Sequence, residues 1–240
     1  MPPVKQVLRV DDVLNIFYAR EFAYDILRRF FLEEPSREYV KHFIQHNMID
    51  IFPFREESEG IQAGIQEVKR YLADHNPGKI EKHYEDLHWD YTRMFIGPFE
   101  TPASPWESVY VTSDQLLFQE TTMMVRGLYK KYGYETASFS MEADDHIGLE
   151  LDFMYHLNQL AIKSAGEKTD TSIPEIMYLL DEQQKFIQQH LGRFAPLLAE
   201  KVIEHADAGL YRGLAMILQH YLQIDSKVLS ELLNIELVQN

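Results

Sequence analysis

Cysteine is absent from all 240 residues. That excludes disulfides, a thiolate nucleophile, Cys-ligated zinc and iron–sulfur clusters, and with them a small secreted disulfide scaffold. Long apolar runs are missing as well. Nothing approaches the roughly 18 consecutive apolar residues of a membrane span, and the best run, Leu210 to Leu218, is broken by Arg212. The start, Met1-Pro2-Pro3-Val4-Lys5, reaches Asp11-Asp12 without the apolar stretch of a secretory signal. The expectation is a soluble, cytoplasmic protein with no membrane span. Basic residues are few, 23 against 38 acidic ones, for a net charge of −15. Nucleic acid is therefore a poor partner, because binding it needs Lys and Arg to displace counterions from phosphates.

The acidic excess is spread over both halves of the chain but thickens from Glu135 to Glu182. Eleven acidic residues stand there against Lys163 and Lys168. A field of that sign favours a basic partner, although simple solubility explains it equally well.

What the sequence does contain is helical spacing. Asp11/Asp12 can cap a helix with Val13, Phe17, Tyr24, Leu27 and Phe31 on its apolar face, stopping near Pro35. Ser36 begins another, with Tyr39, Val40, Phe43 and Ile44 on one side. Ile61, Ile65, Val68 and Leu72 form a third, closed at Asn76-Pro77-Gly78. Tyr84, Leu87, Tyr91, Met94 and Phe95 mark a fourth, ending at Gly97-Pro98. Residues 97–105, with three prolines and a glycine, cannot propagate a helix. From Trp106 the chain leads, with Asp114 as N-cap, into a helix carrying Leu117, Thr121, Met124, Leu128 and Tyr132, stopped at Gly133. After a polar connector at 134–143, Ile147, Leu151, Met154 and Leu157 resume helical spacing. Lys163 to Ser172 reads as a loop. Helices at about 174–190, 195–206 and 208–224 follow, and Ser226 caps a short last one. The fold class is all-α: a single-domain bundle of nine or ten helices, with an N-terminal helical region over 1–133, a hinge at 134–143 and a C-terminal helical region over 144–240.

Ten histidines raise the question of a metal. His42 and His46 are four apart, but Phe43 stands where a zincin needs its glutamate. Glu85 and His88 match one Glu-x-x-His element of a di-iron bundle, and the second copy is missing. Asp145, His146 and Glu150 form a more distinctive group. Asp145 is placed to cap the helix that follows, and Glu150 shares the face of His146. No nucleophile accompanies them, so they read as a structural cap or as an acid–base cluster. Trp106, one of only two tryptophans, sits in a proline-stiffened loop, either as a binding anchor or as a plug over the core.

Four segments resemble the TorD/DmsD family of redox-enzyme maturation chaperones, relatives of the NarJ group. They are Tyr91-Thr92-Arg93-Met94-Phe95-Ile96-Gly97-Pro98, Pro105-Trp106-Glu107-Ser108-Val109-Tyr110, the stretch from Glu142-Ala143-Asp144-Asp145-His146 to Met154, and His190-Leu191-Gly192-Arg193-Phe194-Ala195-Pro196 with Tyr211-Arg212-Gly213-Leu214-Ala215. Order and separation agree over residues 85–225. Ala143 replaces the family's usual proline, and Phe194 a common tryptophan.

The resemblance implies a helical cytoplasmic chaperone, not an enzyme, with no cofactor of its own. Its partner would be the apo catalytic subunit of a molybdopterin oxidoreductase, together with that subunit's twin-arginine signal peptide. The family's peptide-binding positions carry over onto Tyr91, Met94, Phe95, Phe99, Pro105, Trp106, Asp145 and His146. Met and aromatic side chains would line a groove for the apolar stretch of the leader. Asp145, with Glu142, Asp144 and Glu150, would offer carboxylates to its arginines. Members also form homodimers, some domain-swapped, which directs attention to the 134–143 connector. The alternatives are a helical metal-binding enzyme using His and carboxylate ligands, or a non-catalytic scaffold.

Overall fold

A computed structural model of the chain describes residues 6–97, 101–112, 116–117, 120–135, 143–167 and 169–239. Helix α1 (Val10–Phe31) starts where the Asp12 carboxylate accepts the Arg9 N–H at 3.2 Å, so the acid caps from inside the first turn. Its expected apolar positions, Val13, Phe17, Tyr24, Leu27 and Phe31, are all buried. Ser36 and Ser58 are the N-caps of α2 (Arg37–Gln45) and α3 (Glu59–Asp74), accepting the N–H groups of Tyr39 and Ile61. Helix α4 (Glu81–Tyr91) widens into a π turn at Thr92–Ile96 and stops at Gly97, whose φ of 72° suits glycine. Next come the one-turn α5 (Glu107–Val111) and α6 (Glu120–Lys131), which ends just before the left-handed Gly133. The expected cap Asp114 and residues 136–142 of the connector lie outside the described residues.

The second half departs from the sequence reading in three places. Helix α7 (Ile147–Glu167) continues into the expected loop as far as Glu167, with Ala161, Ser164 and Ala165 buried. Helix α8 (Ser172–Phe186) passes through a second π turn, Ile187–Leu191, directly into α9 (Gly192–His205). Helix α10 (Gly209–Leu233) runs unbroken past Ser226. That serine caps nothing; its hydroxyl accepts from Gln184 Nε2 at 3.1 Å, across to α8. A short parallel pair, β1 (Val7–Arg9) with β2 (Glu236–Val238), joins the two ends. Three-residue strands carry no readable alternation, and neither was expected. Among the described residues the chain is all-α, with ten α-helices, two short 3-10 turns at Met48–Ile51 and Arg55–Glu57, and this one ribbon.

Two glycine contacts set how closely helices approach. A Cβ on Gly64 of α3 would stand 2.6 Å from the Gly213 carbonyl oxygen of α10, and the reverse distance is 2.5 Å. On α7, a Cβ on Gly148 would stand 2.1 Å from Leu32 Cα. Across the interior, Arg20 of α1 reaches Asp225 of α10 at 2.5 and 3.0 Å, Asn158 of α7 at 2.8 Å and Gln183 of α8 at 2.8 Å. Tyr24 donates to the same aspartate at 2.7 Å. One fully buried guanidinium thus ties four helices, with its donors spread over three side-chain partners.

Candidate functional site

Three of the four resembling segments meet at one junction. Trp106 and His146 pair as an antiparallel β-bridge, with Ile147 N–H donating to the Pro105 carbonyl at 2.7 Å and Glu107 N–H to the Asp145 carbonyl at 2.9 Å. Asp145 is fully buried and both its oxygens are occupied. Oδ2 accepts the Ser108 N–H and Oδ1 the Thr122 hydroxyl, each at 2.9 Å. Asp145 therefore caps α5 and anchors α6, whereas the sequence placed it as the cap of its own helix. His146 takes that role on α7: its Nδ1 accepts the Gly148 N–H at 3.1 Å. An accepting Nδ1 requires a neutral ring, and burial lowers the His146 pKa to about 4. Its ring meets Trp106 edge-to-face at 6.0 Å. Asp144 receives Arg126 Nε at 2.6 Å, and its carbonyl accepts from the Tyr129 hydroxyl at 2.9 Å.

Behind Asp145 lies a seam of acid. Glu107 and Glu150 have no solvent exposure, and Oε1 of Glu107 and both oxygens of Glu150 have no hydrogen-bond partner among the described residues. Oε2 of Glu107 also lies 2.9 Å from Nδ1 of the buried His190, in the second π turn. Burial, followed by the charges of Glu107 and Asp145, raises the Glu150 pKa well above the ordinary carboxylate range. Glu150 is thus a buried acid and not the solvent-facing carboxylate that arginine recognition called for.

The apolar candidates are buried too. Met94 is fully enclosed, and Tyr91 and Phe95 are 2 % and 3 % exposed. They pack into the core, with Phe95 against Phe31 and Tyr91 against both Phe95 and Tyr211. The loop is fastened over them by the Ala103 N–H on the Met94 carbonyl. Pro105 is buried and Trp106 half-buried. Phe99 and Glu142 lie outside the described residues. Among the described candidates, Trp106 is the one that is not buried.

Four exposed apolar side chains were not singled out in the sequence as site residues: Leu116 and Leu117, which follow α5 in the chain, and Met123 and Met124 on α6. The two methionines follow Thr122, the residue that Asp145 holds, so the turn of α6 that presents them is fixed to the same seat. For Met123 and Met124 the signal in the sequence is a run of three apolar residues with Val125, of which one helix face buries only Val125. Glu107 and His190 lay inside the quoted segments without a role. A surface cleft of about 370 Å3 lies elsewhere, lined by Tyr71, Asp86, Trp89, Arg93 and Asp207.

Among the described residues no three His, Asp or Glu side chains gather as metal ligands. His42 and His46 are exposed, with their rings tilted against each other at 4.1 Å between centroids, and His88 pairs with Glu34. No described helix is long and apolar enough to cross a membrane.

The sequence model of the nitrate reductase delta subunit family matches residues 55–200, more than half of the chain. The chain belongs to the nitrate reductase delta subunit family. The match takes in Tyr91 to Glu150 as well as His190. Similar proteins include the chaperone protein TorD of Vibrio cholerae serotype O1, 31 % identical over 170 residues, which cover 70 % of this chain and 71 % of that protein. The chaperone protein TorD of Aliivibrio salmonicida is 28 % identical over 145 residues, 60 % of this chain and 65 % of its own length. That of Vibrio vulnificus is 28 % identical over 158 residues, 66 % of this chain and 68 % of that protein. The chain thus spans about two thirds of the relatives it matches.

Proposed function

We propose that the protein is a cytoplasmic chaperone in the maturation of a molybdopterin oxidoreductase. In this reading it binds the apo catalytic subunit and its twin-arginine signal peptide until the cofactor is inserted. The observation that carries the reading is family membership over residues 55–200, alongside similarity to chaperones named TorD. The junction is compatible with it. Exposed Leu116, Leu117, Met123 and Met124, together with half-buried Trp106, would offer pliable apolar side chains to the body of a leader. Asp145 and His146 would act as positioning residues, setting the seat of α5 and α6, while Tyr91, Met94 and Phe95 would give support from the core. The acidic excess favours a cationic leader electrostatically.

Isothermal calorimetry with a twin-arginine leader peptide and its Lys-Lys variant tests the reading. Saturable binding of the first, weakened at least tenfold in the second, is expected. Met123→Ser combined with Met124→Ser should weaken the apolar component of binding without changing the circular dichroism. Absence of binding to both peptides would remove the leader from the account.

A further inference from the structure

The carboxylates expected to receive arginine at the junction are already engaged or enclosed: Asp145 by Ser108 and Thr122, Asp144 by Arg126, and Glu150 by the core. Exposed carboxylates stand elsewhere, beside exposed aromatic surface. The 370 Å3 cleft is walled by α3, α4 and the α9–α10 turn. It continues into a second cleft of about 190 Å3 that shares Tyr71, His75 and Asp207 with it, so the two form one trough. Trp89 lines the trough and is 64 % exposed; no large apolar side chain among the described residues is more so. Tyr71 and His75 are stacked at 4.5 Å and 5° from parallel where the two clefts meet. An indole face left in water beside a second aromatic pair is a platform for a flat cation.

The charges decide what the trough fits. Its three arginines are engaged by the fold. Arg93 reaches Asp90 and the His205 carbonyl, each at 2.6 Å, Arg212 reaches Glu67 at 3.1 Å and the Ala206 carbonyl at 2.8 Å, and Arg70 pairs with Glu67. Buried Asp90 also accepts the Asp207 and Ala208 N–H groups at 3.1 and 2.8 Å, which seats the start of α10. Asp74, Asp86 and Asp207 remain as exposed carboxylates. Asp86 meets Lys82 on the surface, Asp207 meets Arg93 at 3.0 Å, and Asp74 has no ion-pair partner among the described residues. Exposed pairs of this kind give way to a better partner at little cost. Asp86 lies three residues before Trp89 on α4, so carboxylate and indole share a face.

We propose that this trough binds an arginine-bearing peptide, one guanidinium lying on Trp89 with its edge towards Asp86 and a neighbouring one received by Asp74 and Asp207. Lysine fits less well, because a compact, strongly hydrated ammonium neither stacks on an indole nor forks onto a carboxylate. Arg93 belongs to the π turn that also carries Met94 and Phe95, and the Met94 carbonyl fastens the loop leading to Trp106. Trough and junction are thus joined through one turn. That the natural peptide is a leader rests on the function proposed above; the preference for guanidinium rests on the trough alone.

The two tryptophans supply the readout, one indole N–H signal for each place in the nuclear magnetic resonance spectrum of the full chain, assigned with Trp89→Leu. An acetylated, amidated Arg-Arg dipeptide should shift the Trp89 signal saturably and leave that of Trp106 in place, and the Lys-Lys dipeptide should bind about tenfold more weakly. Asp74→Asn combined with Asp86→Asn should weaken Arg-Arg binding by about tenfold, with unchanged circular dichroism. A Trp89 signal indifferent to Arg-Arg, equal binding of the two dipeptides, or native affinity in the double variant overturns the proposal. A twin-arginine leader peptide separates the trough from the function. Shifts of both signals support the two together, and a shift of Trp89 alone supports the trough while removing the apolar contact at the junction. A shift of Trp106 alone overturns the trough and leaves the proposed function standing.

Discussion

At the scale of single residues, the junction depends on groups that have exchanged their expected work. The Asp-Asp-His sequence signalled a cap, and a cap is there, but local spacing carries no information about which helix receives it. Asp145 serves α5 and α6, which lie far from it in sequence, and His146 caps α7. Asp145→Ala leaves a buried N–H and a buried hydroxyl unpaired and should cost about 1–3 kcal/mol for each, read as a fall in urea midpoint. His146 adds a pH dependence of definite sign. Its folded pKa of about 4 lies below the ordinary histidine value of 6.5, so the unfolded chain binds the proton more readily. The stability it supports is complete above pH 6.5 and is lost as pH falls from there towards 4, by on the order of 3 kcal/mol. His146→Asn, which keeps an acceptor without a titrating ring, should flatten that loss in denaturation curves between pH 4 and 6.5. The raised carboxyl of Glu150 works in the opposite direction, reducing stability as pH rises, so its contribution must be separated with Glu150→Gln.

At the scale of elements, most helices were legible because apolar positions at three- and four-residue spacing coincide with buried faces, as in α1, α3 and α7. Ends decided by tertiary contact were not. Polar residues from Lys163 onward resemble a loop, yet α7 continues because its other face is buried, and Ser226 resembles a cap while bonding across to Gln184. The π turns at 92–96 and 187–191 also escape a 3.6-residue pattern, and they carry Met94, Phe95 and His190. Gly64 and Gly213 give the clearest element-scale prediction. At either position a methyl group meets backbone, so Gly213→Ala should destabilise the α3–α10 contact by about 1–3 kcal/mol, measured by chemical denaturation. Gly127, with open space around its Cβ on exposed α6, should tolerate alanine and gain up to about 1 kcal/mol.

At the scale of the whole molecule, the buried Arg20–Asp225 pair joins α1 and α10, which begin and end the bundle, and recruits α7 and α8. Asp225→Ala strands a buried guanidinium and should cost about 3–5 kcal/mol, whereas exposed pairs such as Lys163–Glu167 should matter little. No sequence pattern pairs residues 205 positions apart, so this tie was invisible before the fold was known. The family segments were legible, since their order along the chain survives without knowledge of the fold. Their consequence was not, because most of the described residues read as contact groups are buried. The claim that unites the three scales is that this surface retains an unfinished client. Size-exclusion chromatography of the native protein with the apo catalytic subunit of a molybdopterin oxidoreductase, and with the cofactor-loaded subunit, tests it most directly. A stable complex with the apo form and none with the loaded form is predicted; equal association with both, or with neither, would contradict the account.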